Sequence, residues 1–95
     1  MFDIWRDTAG IIHFKGSFGT SDSGQAAEIL DNLTGSPVLD FGELKHISST
    51  GLGLLIKAQR KLDEAGGGKI RITNCNVHIR EIFSITRFDL IFDLE

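Results

Sequence analysis

Ninety-five residues, 41% of them hydrophobic and 24% charged, suffice for one small core and are too few for a large multi-domain enzyme. Ten Lys and Arg against thirteen Asp and Glu give a net charge of −3, which offers no bulk attraction to a phosphate backbone and argues against nucleic acid as a partner. No apolar run approaches the roughly 20 residues that cross a bilayer, the Met1-Phe2-Asp3-Ile4 opening lacks a secretory signal, and Cys75 stands alone, so a cytoplasmic location without membrane insertion is expected.

In chain order, Phe2 and Ile4 alternate with polar neighbours, as do Ile12 and Phe14, which predicts a strand pair over 2 to 7 and 11 to 18 with Gly10 at the turn. Trp5 breaks the alternation and is expected either on the outer face of the sheet or under a helix. Ala26, Ile29, Leu30 and Leu33 recur at helical spacing behind the cap candidates Ser21, Asp22 and Ser23. That helix closes at Gly35 and Pro37. Pro37-Val38-Leu39-Asp40-Phe41 reads as a strand buried on both faces and hence central, ending in polar punctuation at Gly42-Glu43.

The clearest helical pattern runs from Leu52 to Ala65. Leu52, Leu55, Ile56, Ala58, Leu62 and Ala65 fill one arc, with Lys57, Arg60, Lys61 and Glu64 opposite. Gly66-Gly67-Gly68 would cap it and turn into an alternating strand, Lys69-Ile70-Arg71-Ile72-Thr73. Asn76 is placed to cap a helix over 77 to 87 with Ile79, Ile82, Phe83 and Ile85 apolar, and a short strand at Leu90-Ile91-Phe92 follows. Phe88, Ile91 and Phe92 are expected to close the core while leaving enough apolar surface for weak self-association. Strands alternating with helices after an initial pair define an α/β domain over residues 1 to 95, a mixed sheet of four to five strands against about three helices.

In such sheets sites gather beyond the carboxyl ends of strands, which directs attention to residues 42 to 53. Ser48, Ser49 and Thr50 stand at the entrance of the best helix, where one hydroxyl suffices to cap the first turn and two remain unassigned. The glycine spacing matches neither a P-loop nor a dinucleotide fingerprint, so no cofactor is expected. With the helix beginning near Thr50, that residue falls on the arc of Lys57 and Lys61, with Gly53 exposed beside it. A reachable hydroxyl next to bare backbone suits a substrate of another protein's active site. It suits catalysis less, because His46 is the sole local candidate base. His13, His46 and His78 are widely separated and have no Cys or carboxylate at ligand spacing, so no metal site is expected. Lys57, Arg60 and Lys61 read either as a solvated helix face or as part of a docking surface for an acidic partner. Asp40, at the end of the central strand, is read as bracing the hydroxyls, and Cys75 as a small buried filler.

Val38-Leu39-Asp40-Phe41, the Ser49-Thr50-Gly51-Leu52-Gly53 run, Gly66-Gly67 and the strand and helix that follow resemble a STAS domain along the whole chain. The similarity is strongest to the free-standing anti-sigma factor antagonists. It implies a non-enzymatic, partner-switching regulator of transcription whose unmodified form binds an anti-sigma factor or related serine/threonine switch kinase. Partner contacts would centre on Ser48, Ser49, Thr50, Gly51, Gly53, Lys57, Arg60 and Lys61. Phosphorylation is implied at the hydroxyl residue before the glycine, Thr50, with Ser49 as the alternative, and a protein phosphatase would reverse it. Two positions depart from the family pattern. Ser48 stands where an Asp usually precedes the acceptor by two residues, and Arg87 stands where many relatives have glycine. The other reading keeps the fold without the switch, as a constitutive scaffold or subunit of a lipid-transport or signalling complex.

Overall fold

The computed structural model describes residues Met1–Glu95. Five strands form one sheet in sequential order: β1 Phe2–Arg6, β2 Ile12–Phe18, β3 Val38–Ile47, β4 Arg71–Thr73 and β5 Asp93–Leu94. β1 pairs antiparallel with β2, and the three remaining pairs are parallel. The parallel returns are made by α1 Ser23–Leu30, α2 Ser49–Glu64 and α3 Val77–Thr86. Each crossover advances by one strand in the same direction, so right-handed connection places all three helices over the same face. Under them lies a continuous core that includes Phe14, Phe18 and Phe41 from the strands, Leu30, Leu55 and Leu62 from α1 and α2, and Phe83 from α3.

The opposite face of the sheet is open. Trp5, His13, Asp40 and Thr73 form one cross-strand row there, and Trp5 stacks on the His13 ring at 5.3 Å between centroids. The outer-face alternative for Trp5 is therefore the one realised. Asp7 organises the β1–β2 turn: its Oδ1 accepts from the Ala9 and Ile11 amides at 2.9 and 3.0 Å, and its Oδ2 lies 2.8 Å from His13 Nε2. Gly10, at φ 87°, supplies the left-handed residue that this turn requires.

Three boundaries differ from the sequence reading. β3 continues through Gly42-Glu43 to Ile47, and α2 begins at Ser49, so the connection expected between Gly42-Glu43 and a helix starting near Thr50 shrinks to a single residue, Ser48. The pairing of β2 with β3 shifts register between His13 and Lys15 and again between Gly16 and Ser17, each time with one extra residue on β3. These bulges space the buried positions as Leu39, Phe41, Leu44 and Ile47, which hides a strand from a search for strict alternation. At the C-terminal end of the fold, Phe88–Leu90 is a 3₁₀ turn and the last strand is Asp93–Leu94, not 90 to 92. Phe92 does fill the core, while Leu90 is exposed.

On the helices, Ala65 lies just past α2 and is exposed, and Ile85 projects to solvent instead of joining Ile79 and Phe83 in the core. Polar Gln59 is buried instead, at 3% exposure. Its Oε1 accepts from the Ile70 amide at 2.7 Å, and its Nε2 donates to Asp63 Oδ1 and to the Gly68 carbonyl. This side chain replaces ladder partners that the short β4 does not provide at its entrance. Gly66, at φ 79°, ends α2 as expected. Arg87 ends α3 with φ 64°, a left-handed conformation in which a side chain other than glycine or Asn is strained. Cys75 packs against the core, and burial pushes its thiol pKa up to about 11, leaving it protonated at neutral pH.

Three stability outcomes follow from these contacts. Gln59→Leu leaves the Ile70 amide without a partner and is expected to cost about 1–3 kcal/mol in urea unfolding, whereas a change near zero would show that the clamp contributes nothing. Arg87→Gly relieves the left-handed strain and is expected to raise stability by about 0.5–1 kcal/mol. The hydrogen bond from His13, with the Ile11 and Ala9 amides adding to it, holds the Asp7 carboxyl below its ordinary pKa. Its stabilisation is thus complete above about pH 4 and is lost as pH falls through the depressed folded value. Asp7→Asn should flatten the acid limb of the stability profile below that pH, and an unchanged limb would exclude this linkage.

Candidate functional site

The junction between β3 and α2 sits at the carboxyl edge of the two central parallel strands. Ser48 is extended at φ −85° and ψ 168°, and its hydroxyl accepts from the Gly51 amide at 3.1 Å. Ser48 is therefore the N-cap of α2. It performs the capping with an uncharged oxygen. Its own amide donates to the Phe18 carbonyl at 2.9 Å, which ties the junction to the end of β2.

With the cap supplied, the other hydroxyls are free of that duty. Ser49 is exposed, and Thr50 is half-buried on the first turn. Thr50 Oγ1 lies 3.1 Å from Thr20 Oγ1, in a hydrogen bond at the surface. Thr20 opens a 3₁₀ turn, Thr20–Asp22, that follows β2 and is steadied by the Gly19 amide donating to Asp22 Oδ2 at 2.8 Å. Sequence reasoning missed Thr20. Nothing local marks a threonine after Phe18-Gly19 as a partner for a residue thirty positions on, and only the parallel pairing of β2 with β3 brings the two strand ends together.

The two glycines of the turn have different duties. Gly51 is buried: a Cβ there would stand 3.0 Å from Ile47 Cγ1 and 3.1 Å from Phe18 Cδ2. Its expected place among the partner contacts gives way to close packing inside the fold. Gly53 is exposed, with no atom within 4 Å of a prospective Cβ, and leaves the backbone bare beside Thr50.

Other expected members of the site are distributed differently. Asp40 lies within β3, roughly 20–25 Å along the strand from Ser48. Its Oδ1 accepts from the Gly42 amide at 2.8 Å and from Asn74 Nδ2 at 3.3 Å, so it braces the sheet's open face and not the hydroxyls. Lys57, Arg60 and Lys61 are exposed on α2. Lys61 Nζ reaches Asp31 Oδ1 at 3.7 Å, so the stripe carrying Thr50 and Lys61 borders α1 and its preceding turn. An exposed pair of this kind adds little stability. His46 faces the His78 ring at 6.0 Å, and Asn76, which caps α3 through the Ile79 amide, also donates to the Leu44 and Lys45 carbonyls. The start of α3 is thereby pinned beside the end of β3. The two surface depressions of the molecule, about 310 and 640 Å³, are both lined by residues outside Ser48–Gly53, so the hydroxyls stand on a surface without a cavity.

A sequential mixed sheet covered on one face by three helices, with two hydroxyls on the first turn of the second helix beside the Ser48 cap, defines a small α/β module. The family comparison agrees: the STAS domain model matches residues 6–95, and the chain belongs to the STAS domain family. No curated protein sequence matches it. Among solved structures, a Thermotoga maritima protein proposed to be an anti-sigma factor antagonist, TM1081, superposes with a TM-score of 0.75 at 14% identity, over 99% of this chain and 85% of that one. The anti-sigma factor antagonist SpoIIAA in its unphosphorylated form superposes at 0.67 with 17% identity, over 100% of this chain and 87% of that one. The phosphorylated form of SpoIIAA, a Bacillus cell fate determinant, superposes at 0.68 with 16% identity, over 100% and 91%. At these identities the likeness is one of fold.

The contrast between the two glycines is directly measurable. Gly51→Ala pushes a methyl against Phe18, which is locked by Phe2 at 4.7 Å, and is expected to cost about 1–3 kcal/mol despite alanine's better helix propensity. Gly53→Ala meets open space and is expected to gain up to about 1 kcal/mol. Thermal unfolding of both variants decides the matter, and equal shifts would refute the packing role of Gly51.

Proposed function

We propose that this chain is an anti-sigma factor antagonist type of regulator. Its unmodified form binds an anti-sigma factor or related serine/threonine switch kinase, phosphorylation of Thr50 releases that partner, and a protein phosphatase restores binding. The observation that carries this reading is the division of labour at the α2 entrance. Ser48 supplies the cap, and the Thr50 hydroxyl stands at the surface beside the bare backbone of Gly53. Ser49, Lys57, Arg60 and Lys61 extend the same exposed side and would form the rest of the docking surface.

The physics of the switch is electrostatic. A phosphoryl group brings about −1.5 to −2 charge at pH 7, which the first turn of a helix tolerates and a closed protein interface does not. Desolvating an unpaired dianion costs several kcal/mol, so partner binding falls by about 100-fold or more while the domain stays folded. SpoIIAA supports the second half of this statement, since its phosphorylated and unphosphorylated forms match this chain equally well. The domain acts as a substrate and a ligand, not as an enzyme, in a cytoplasmic setting. No helix is long and apolar enough to cross a membrane.

Incubation with an ATP-dependent switch kinase, followed by mass spectrometric mapping, should place phosphate on Thr50 and lose it in Thr50→Ala. Phosphate on Ser23 alone, or none, overturns the assignment. Thr50→Glu should weaken partner capture by about 100-fold, whereas undiminished capture would favour the constitutive scaffold.

A further inference from the structure

We propose that Thr20 is the positioning residue of the Thr50 hydroxyl, holding its rotamer before phosphoryl transfer and hydrogen-bonding the phosphate afterwards; this rests on the reading of Thr50 as the acceptor. A threonine on the first turn of a helix has no helical carbonyl behind it to which its hydroxyl can bond, so its side chain would ordinarily sample more than one rotamer. Here the Thr20 hydroxyl at 3.1 Å supplies the missing constraint. Thr20 is itself held in place by its surroundings. The Ser48 amide bonds the Phe18 carbonyl, Gly51 packs on Phe18, and the Gly19 amide bonds Asp22 Oδ2, so the turn and the helix are tied on both sides of the hydroxyl pair.

The chemistry uses this geometry. A hydroxyl oxygen has two lone pairs, and when Thr20 donates into one, the other remains available to attack. In the transfer, Thr50 Oγ1 forms a bond to the γ-phosphorus of the kinase-bound nucleoside triphosphate. The bond from that phosphorus to the bridging oxygen breaks, releasing the diphosphate, and the Thr50 proton passes to a base on the kinase. Thr20 neither gains nor loses a proton. Once the phosphate is in place, the same hydroxyl lies within reach of a phosphoryl oxygen and favours its dianionic form.

Two measurements test this without a kinase. In the parent protein, three-bond couplings from the Thr50 Cγ2 carbon to the backbone should report one rotamer; Thr20→Val should average them, and Thr20→Ser should restore them. With phosphothreonine incorporated at position 50 during translation, a phosphorus NMR titration should show the second pKa of the phosphate raised by about 0.3–0.5 in Thr20→Val and unchanged in Thr20→Ser. Thr20 is exposed, and an amide correlation spectrum verifies that each variant is folded. Couplings that ignore the Val substitution, or a phosphate pKa that ignores it, overturn the proposal. Failure of a kinase to modify Thr50 would instead overturn the acceptor reading, leaving both NMR results standing, so the two failures are distinguishable.

Discussion

The constraint on which the candidate site depends is the seat of α2 on the end of β2. A methyl group at Gly51 would press on Ile47 and Phe18 at 3.0 and 3.1 Å, and Phe18 is in turn packed by Phe2 and Phe14. Because the helix can approach this closely, Ser48 reaches the Phe18 carbonyl, the β3–α2 connection needs only one residue, and Thr20 and Thr50 come within hydrogen-bonding distance. A larger residue there would have to displace the Ile47 and Phe18 side chains on which these contacts rest. A core packing decision thus determines the geometry of a surface site.

Strand order explains where that site lies. In a doubly wound sheet the helices divide between two faces and a crevice opens where the order reverses. Here the order is sequential, there is no reversal, and the helices share one face. The junction of β3 with α2 is consequently packed, and the larger depression lies away from it, against Gly16, Ser17, Glu43 and Lys45. What the entrance of α2 presents is surface: hydroxyls, exposed glycine backbone, and the lysines and arginine of the helix.

Much of this was legible in the sequence, and the misses have physical causes. Alternation at Phe2, Ile4, Ile12 and Phe14, the helical arc of α2 and the Asn76 cap are local signals, and each produced the expected element. The second half of β3 was hidden because two bulges replaced the period of two by steps of three residues from Phe41 to Leu44 to Ile47. Gln59 was hidden because its burial depends on an amide eleven residues away, and Thr20 because its partner is thirty residues away. Asp40 illustrates the opposite error. Its sequence distance from Ser48 looked short, but in an extended strand eight residues separate two groups by most of the width of the domain.

The open face of the sheet carries a consequence of its own. Trp5 is the sole tryptophan, and it lies flat on His13, a ring hydrogen-bonded to Asp7 at the hairpin turn. Its near-ultraviolet emission therefore originates on the side of the sheet away from the helices. Because the Trp5–His13 stack spans the two strands, that emission reports on whether the β1–β2 hairpin is closed. The sheet stands between the fluorophore and the hydroxyls at the entrance of α2, so the chain carries its own spectroscopic reference for integrity of the fold.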